Sequence, residues 1–530
     1  MKLVTSIPVL IGIFCPLIFA ADSQPPVSVT LDETHTFAFP DKIFGVQDEV
    51  FTTPYLTQGH LDGYRNLGIS VFRYPCGTPS EWLAWDDIEN GYWPSDFEKK
   101  RTKMTPDAFV AFCRTMNYTP IITVNTNLAG THDQRNRINP TRVESIRKGA
   151  AYAAKWLEHA NVKNKAGVKY WEIGNETWVW LKEDEYPVYV REYAKALRAV
   201  DPSISIIACG LTCDAEYNPT WLDFPDDPNW KPRPVNKTGY KKWTRQLLAQ
   251  AKGSFDYIAP HIYLDGESID PIKNGVSLFA AIDDGERQLQ EQIQFIQEAK
   301  STARLAVTEW MINWHFLPDM KDILLANKSM SREVYNTMGF SNTPLHLFVS
   351  VLGAADWFGK MISCGYVDIA VGHTLTTGIG LAWDQESQKS LDPILPKPAG
   401  AAMEFWSQCK DHRVVPVRLA NVPTYQYKNK SIPLVSAYAT TWNNRLNVIL
   451  INRSPDRSLT VALPESFRGK KPGKVTEHAV EADSWAANLW PAVKDRNLYP
   501  FKKTIRPLPA EGFSKYELKP CKLIRLEIEF

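Results

Sequence analysis

The sequence lacks an excess of charge of either sign: 60 Lys and Arg stand against 59 Asp and Glu in 530 residues, a net charge of +1. Without a global positive field, bulk attraction to nucleic acid or to an anionic membrane is excluded as the basis of function. Cysteine is scarce, 8 in all, so a core rather than a disulfide framework must supply stability. Cys209 and Cys213 are close enough to pair, but no second Cys/His pair stands nearby at zinc spacing. Buried thiols with one or two bridges, no structural zinc and no cofactor are therefore expected. Internal repeats, low-complexity tracts and charge runs are missing too, and no GxGxxG opens a helix. What is abundant is apolar and aromatic: 44% hydrophobic residues and 18 Trp exclude disorder.

One long apolar stretch exists, at the N-terminus. Residues 1–20 carry Lys2 and then a Pro-interrupted apolar run ending at Ala20-Ala21, the pattern of a cleaved secretion signal. Its loss would remove Cys15 and Lys2, leaving seven cysteines and a neutral chain. No other stretch is apolar enough to cross a bilayer, so a secreted or periplasmic protein without membrane contact is expected. Its oligomeric state is not set by these features.

From residue 43 short apolar runs alternate with amphipathic stretches. The runs are Ile43–Val46, Ile69–Tyr74, Pro120–Asn125, Val168–Asn175, Ile204–Gly210, Phe255–Tyr263, Leu305–Trp310 and Tyr366–Val371. Helical patterns lie between them at Pro106–Met116, Thr141–His159, Tyr186–Val200 and Gly285–Ala299, and Pro398–Cys409 reads as a last helix. Continuous apolar strands alternating with helices imply a parallel sheet covered by helices, and eight of them predict an α/β fold, a (β/α)8 TIM barrel over residues 43–411. After residue 412 period-2 runs at Leu434–Tyr438, Arg445–Ile451, Leu459–Leu463 and Lys522–Phe530 predict a C-terminal antiparallel β-sandwich. The segment 21–42, alternating at Val27, Val29 and Leu31, is expected to add a strand to it.

A barrel of this kind carries its reactive groups at the C-terminal ends of its strands. Two of those ends hold a glutamate: Glu176 in Tyr170-Trp171-Glu172-Ile173-Gly174-Asn175-Glu176, and Glu309 in Leu305-Ala306-Val307-Thr308-Glu309-Trp310. Singly, each reads as readily as a solvated loop residue. Together they match what glycosidic cleavage requires, one carboxyl holding a proton for the leaving oxygen and another attacking the sugar. Around them, His261 or Tyr263 is placed to donate to Glu309, Arg73 to hold it ionised by charge, and Asn175 to reach a sugar hydroxyl. Arg73 in a structural ion pair and His261 as a satisfied core histidine are the competing readings.

Strand-end Asn-Glu followed by a second Glu three strands later resembles the large clan of retaining (β/α)8 glycoside hydrolases. The nearer resemblance is to family 51, the α-L-arabinofuranosidases. It rests on Ile43-Phe44-Gly45-Val46-Gln47-Asp48-Glu49, on Phe72-Arg73-Tyr74-Pro75-Cys76-Gly77 followed by Trp85-Asp86-Asp87, and on Lys169–Glu176. The resemblance implies Glu176 as acid/base, Glu309 as nucleophile and Glu49 as a sugar contact. Departures stand at Cys76, Thr78 and Gly372-His373-Thr374, where the family has Gly, Asn and a sugar-touching Gln. They bear on the choice of sugar and leave the two carboxylates alone. Tryptophans near strand ends (Trp82, Trp85, Trp178, Trp180, Trp310, Trp314 and Trp383) suit stacking on sugar faces, although Trp is as readily core. The expected partner is thus a neutral polysaccharide or oligosaccharide. An endo-β-glucanase, a β-xylosidase or galactosidase-type enzyme, and a non-catalytic sugar-binding protein are the rival readings.

Overall fold

The computed structural model describes residues 25–47, 57–81, 83–88, 103–130, 137–217, 236–268, 270–313, 344–384, 389–511 and 513–530. The segment expected to be a signal lies outside them. Nine parallel strands close on themselves: β1 (Lys42–Gln47), β2 (Val71–Tyr74), β3 (Thr119–Val124), β4 (Tyr170–Ile173), β5 (Ser205–Cys209), β6 (Tyr257–Ala259), β7 (His261–Leu264), β8 (Arg304–Ile312) and β9 (Val367–His373). The β6 and β7 segments form one stave, both pairing with β8. They are parted at Pro260, which has no N–H to give to a ladder. The result is the predicted eight-staved barrel.

A helix follows each stave: α1 (Gln58–Asn66), α2 (Pro106–Met116), α3 (Val143–Leu157), α4 (Tyr186–Val200), α5 (Tyr240–Ala251), α6 (Pro271–Glu298), α7 (Phe348–Ser363) and α8 (Pro398–Ser407). Their starts follow local chemistry. In α2, Thr105 caps the Ala108 N–H ahead of Pro106; in α6, Asp270 accepts from the Ile272 and Lys273 N–H groups ahead of Pro271. That second cap starts α6 well before Gly285, where periodicity alone placed it.

Val71, Ile121, Tyr170, Ile207, Ala259, Ala306, Ile369 and Val371 fill the barrel interior. Alternation along a strand turns the residue two positions later to the same face, one layer nearer the C-terminal end. Arg73, Thr123, Glu172 and Thr308 occupy that layer, buried to less than 1% exposure. Polar side chains thus begin where the apolar plug stops.

Beyond the barrel, two sheets face each other. One orders Phe37–Ala38, Arg413–Val415, Val435–Trp442, Arg445–Asn452, Lys522–Glu529, Lys474–Glu481 and Lys502–Leu508; the other orders Val417–Ala420, Val27–Leu31, Leu459–Ala462 and Lys515–Leu518. The N-terminal strand Val27–Leu31 enters the second sheet, parallel to Leu459–Ala462 and antiparallel to Val417–Ala420. Val29, Val448, Leu450, Val461, Leu518 and Leu526 share the core between the sheets. The expected bridges are not formed among the described residues: no disulfide joins any of Cys76, Cys113, Cys209, Cys213, Cys364, Cys409 and Cys521. Cys209 is buried and its thiol donates to the Gly174 carbonyl at 3.0 Å, which turns it away from any bridge to Cys213. No helix among the described residues is long and apolar enough to cross a membrane.

Candidate active site

Arg73 is the hub at the C-terminal end of the barrel. Its Nε donates to Glu172 Oε2 at 2.6 Å, Nη1 to Gln47 Oε1 at 2.6 Å and to Glu309 Oε2 at 3.2 Å, and Nη2 to Asn175 Oδ1 at 2.7 Å. Burial alone would disfavour the guanidinium charge, but Glu172 and Glu309 outweigh it and raise its pKa. Asn175, placed by the sequence at a sugar hydroxyl, has its carbonyl engaged by this arginine.

Glu309 reaches the hub because β8 is irregular. The register against β9 shifts between Val307 and Trp310, a bulge that lets Thr308 and Glu309 both meet the site where a regular strand would turn one of them outward. The Tyr263 hydroxyl donates to Glu309 Oε1, and His373 Nε2 lies 4.0 Å from the same oxygen. Burial pushes the Glu309 carboxyl up, but His261, His373, Arg73 and the Tyr263 hydroxyl hold it well below the usual carboxylate range. Glu309 is therefore ionised at neutral pH. Burial and the same carboxylate push the Tyr263 phenol far up, so it stays a donor.

Glu176 sits just past β4 in the left-handed region, φ 48°, after Gly174 at φ 76°. A Cβ on Gly174 would lie 2.4 Å from Thr177 Cγ2 and 2.9 Å from Glu81 Oε1, so this turn needs glycine there. Non-glycine residues held at positive φ are costly and gather at functional sites. Glu176 remains 29% exposed, whereas Glu309 is 7% exposed. His261 Nδ1 lies 3.0 Å from Glu176 Oε1 and 3.9 Å from Glu309 Oε2. Of the two groups expected to donate to Glu309, the Tyr263 phenol does so and the His261 imidazole bonds Glu176. Burial pushes His261 down, but Glu309 and Glu176 outweigh it and raise its pKa; at His373 burial wins and lowers it.

One oxygen from each glutamate and one His261 nitrogen all lie within 4.8 Å of one another. With Arg73 at 3.2 Å from Glu309 the chain itself supplies the compensating positive charge, and we assign no cation to this cluster.

The tryptophans divide differently from the sequence reading. Trp310 is fully buried, edge-on to Phe358 of α7 at 5.0 Å, because it follows the bulge and faces the helical layer. Trp85 stacks on Trp156 of α3 at 6.0 Å and touches His159, again in the helical layer. Neither lines the carboxylate cluster. Trp178 is 5% exposed with its ring edge-on to His261 at 5.6 Å, so it supports the imidazole rather than offering an open face. Glu49, Trp82, Trp314 and the Trp383 side chain lie outside the described residues.

Five buried residues of the site went unassigned in the sequence: Gln47, Glu81, Thr123, Glu172 and Thr308. The Glu172 carboxylate accepts from Arg73, from Thr123 Oγ1 at 2.6 Å and from Thr308 Oγ1 at 2.6 Å. Glu81 sits beneath the Glu176 turn and accepts from the Asn175 N–H at 2.7 Å and from the Thr126 N–H and hydroxyl at 2.8 Å each. Burial raises its carboxyl to about 7 against those donors. The signal for Glu172 was its place two residues beyond an inward-facing Tyr170. Glu81, in a short 3-10 turn (Thr78–Glu81), left no such signal.

Comparison with known proteins agrees with this architecture. Residues 65–246 match the family model of the alpha-L-arabinofuranosidase 1 domain. A probable alpha-L-arabinofuranosidase C from Aspergillus fumigatus is 27% identical over 188 residues, 30% of this chain, and the chain spans 33% of that relative's length. The intracellular exo-alpha-(1->5)-L-arabinofuranosidase 1 of Bacillus subtilis is 22% identical over 447 residues, 78% of each chain. Among solved structures, a family 51 α-L-arabinofuranosidase from Bifidobacterium longum superposes with a TM-score of 0.69 at 15% identity, covering 96% of this chain and 100% of that one. The chain has the fold of the family 51 arabinofuranosidases, barrel and sandwich together.

Proposed function

We propose that this chain is a retaining glycoside hydrolase that releases α-L-arabinofuranosyl units from neutral polysaccharides or oligosaccharides. The observation that carries the reading is the closeness of the two carboxyl groups, with oxygens of Glu176 and Glu309 inside 4.8 Å. Double displacement needs carboxyl groups about 5–5.5 Å apart, whereas inversion needs about 6.5–9.5 Å to admit a water.

Glu309, ionised and oriented by Arg73 and Tyr263, attacks the anomeric carbon while Glu176 gives its proton to the glycosidic oxygen. Glu176, now a carboxylate, takes a proton from water. The water oxygen then displaces Glu309 from the sugar and regenerates both groups. The lower exposure of Glu309 suits a nucleophile shielded from solvent, and the greater exposure of Glu176 suits a group that meets leaving group and water in turn.

The sugar is supported by the family likeness and bears on the residues that depart from it. Cys76 is buried at φ 68°, Thr78 opens the 3-10 turn carrying Glu81, and His373 stands near Glu309 where a neutral amide was expected. A panel of aryl furanosides and pyranosides, with the first-formed anomer followed by NMR, tests both halves. Arabinofuranoside cleavage with retained configuration is expected. Cleavage of pyranosides alone would overturn the sugar and keep the mechanism, and binding without turnover would overturn the enzyme. Export belongs to the same proposal, and sequencing the N-terminus of the mature protein tests it.

A further inference from the structure

The hydrogen bonds running from Glu172 through Thr308 to His261 have a direction. Glu172 is fully buried with Arg73 Nε at 2.6 Å from Oε2, so it is a carboxylate and only accepts. Thr308 Oγ1 lies 2.6 Å from Glu172 Oε1, which commits its single hydroxyl proton. Its other contact, His261 Nε2 at 3.2 Å, must then run the opposite way, with Nε2–H donating. A neutral ring held so has a bare Nδ1, and Nδ1 faces Glu176 Oε1 at 3.0 Å.

We propose that Glu172 and Thr308 are positioning residues that set the tautomer of His261 and thereby keep a proton on Glu176, shared with Nδ1, ready for the leaving group. The inference rests on the reading of Glu176 as acid/base. Besides Glu176, the ring faces Glu309 at 3.9 Å, the charge of Arg73, the imidazole of His373, the edge of Trp178, and Tyr263 two residues along its own strand. None of these accepts from Nε2; Thr308 does. Without that acceptor the ring is free to carry its proton on Nδ1, where it donates to the ionised form of Glu176 and favours loss of the acid proton.

Thr308→Val keeps the shape and removes the acceptor, while Thr308→Ser keeps the hydroxyl. In Thr308→Val the alkaline limb of kcat/KM on an aryl arabinofuranoside is expected to move down by about one pH unit, an about tenfold loss beyond the limb, and Thr308→Ser is expected to restore it. An unmoved limb in Thr308→Val overturns the proposal. Independently of any substrate, 15N-histidine NMR of the intact protein, at a pH where the ring is neutral, is expected to show His261 protonated at Nε2, the signal being assigned by its loss in His261→Gln. An Nδ1-protonated ring overturns the proposal even if Thr308→Val does not fold. Absence of glycosidase activity in a protein whose His261 is Nε2-protonated would instead sink the functional reading alone.

Discussion

Among the described residues two arginines are buried completely, and they do different things. Arg73, inside the barrel mouth, gathers side chains from four places: Gln47 of β1, Glu172 of β4, Asn175 after it, and Glu309 of β8. Arg453, at the seam between barrel and sandwich, pairs with Asp283 of α6 at 2.6 Å and Asp356 of α7 at 2.9 Å, leans on the Phe279 ring at 4.8 Å and reaches the carbonyls of Pro433 and Phe279. Carboxylates raise the pKa of both guanidinium groups above the ordinary value. A perturbed charge therefore does not separate a site from a seam. The difference lies in where the carboxylates lead. Asp356 is closed off, its Oδ1 taken by the Tyr438 hydroxyl at 2.5 Å. Glu309 presents its other oxygen to Tyr263 and stands beside a half-open Glu176.

Breaking the site arginine's open carboxylate should have the largest effect. Glu309→Gln is expected to cut kcat by roughly 10⁶-fold, since the covalent route disappears; pre-steady-state and steady-state rates measure this. Near-normal turnover would erase the contrast with the seam.

At the seam the expectation reverses. Arg453→Met leaves Asp356 buried without its partner and should lower stability by about 3–5 kcal/mol in a denaturant titration, with kcat on folded protein nearly unchanged. Glu176→Gln should lower kcat by about 10²–10⁴-fold on alkyl glycosides and by less on aryl glycosides with good leaving groups, which need no proton; comparing the two substrates measures the acid's share.

Tyr263→Phe should cost about 10–100-fold in kcat/KM, the worth of one hydrogen bond to a charged group. It should also move the acidic limb of the pH profile upward, because a donor that holds Glu309 ionised is gone. The pH dependence of stability has the same origin. The folded Glu309 carboxyl titrates below its ordinary value of 4.5, so its contribution is complete above that pH and is lost as the pH falls through the lowered range. Wild type should therefore lose more stability between neutral pH and acid than Glu309→Gln does, which paired melting curves can check.

Much of this is legible in the sequence. Each apolar run became a stave, and the two glutamates were found at strand ends because reactive groups in such barrels sit there. The partners were harder. Trp310 read as a cleft residue because it stands near a strand end, and the bulge in β8 turns it to the helices instead. His261 and Tyr263 read as alternative donors to Glu309; the structure gives Glu309 to Tyr263 and Glu176 to the His261 ring, because that choice depends on how β4 and β7 lie across the barrel mouth. Glu81 is far from both glutamates in sequence and meets the Glu176 turn only through folding.

The sequence by itself determined the eight-staved pattern, the sandwich strands and the pair of glutamates. Those depend on local periodicity and on residue type at strand ends. Only the tertiary structure decided which of the buried polar groups meet, that Glu172 and Thr308 stand behind His261, and that the oxygens of the two glutamates approach within 4.8 Å. Such contacts are set by register, by one bulge and by barrel closure, and each joins residues that the chain keeps dozens of positions apart.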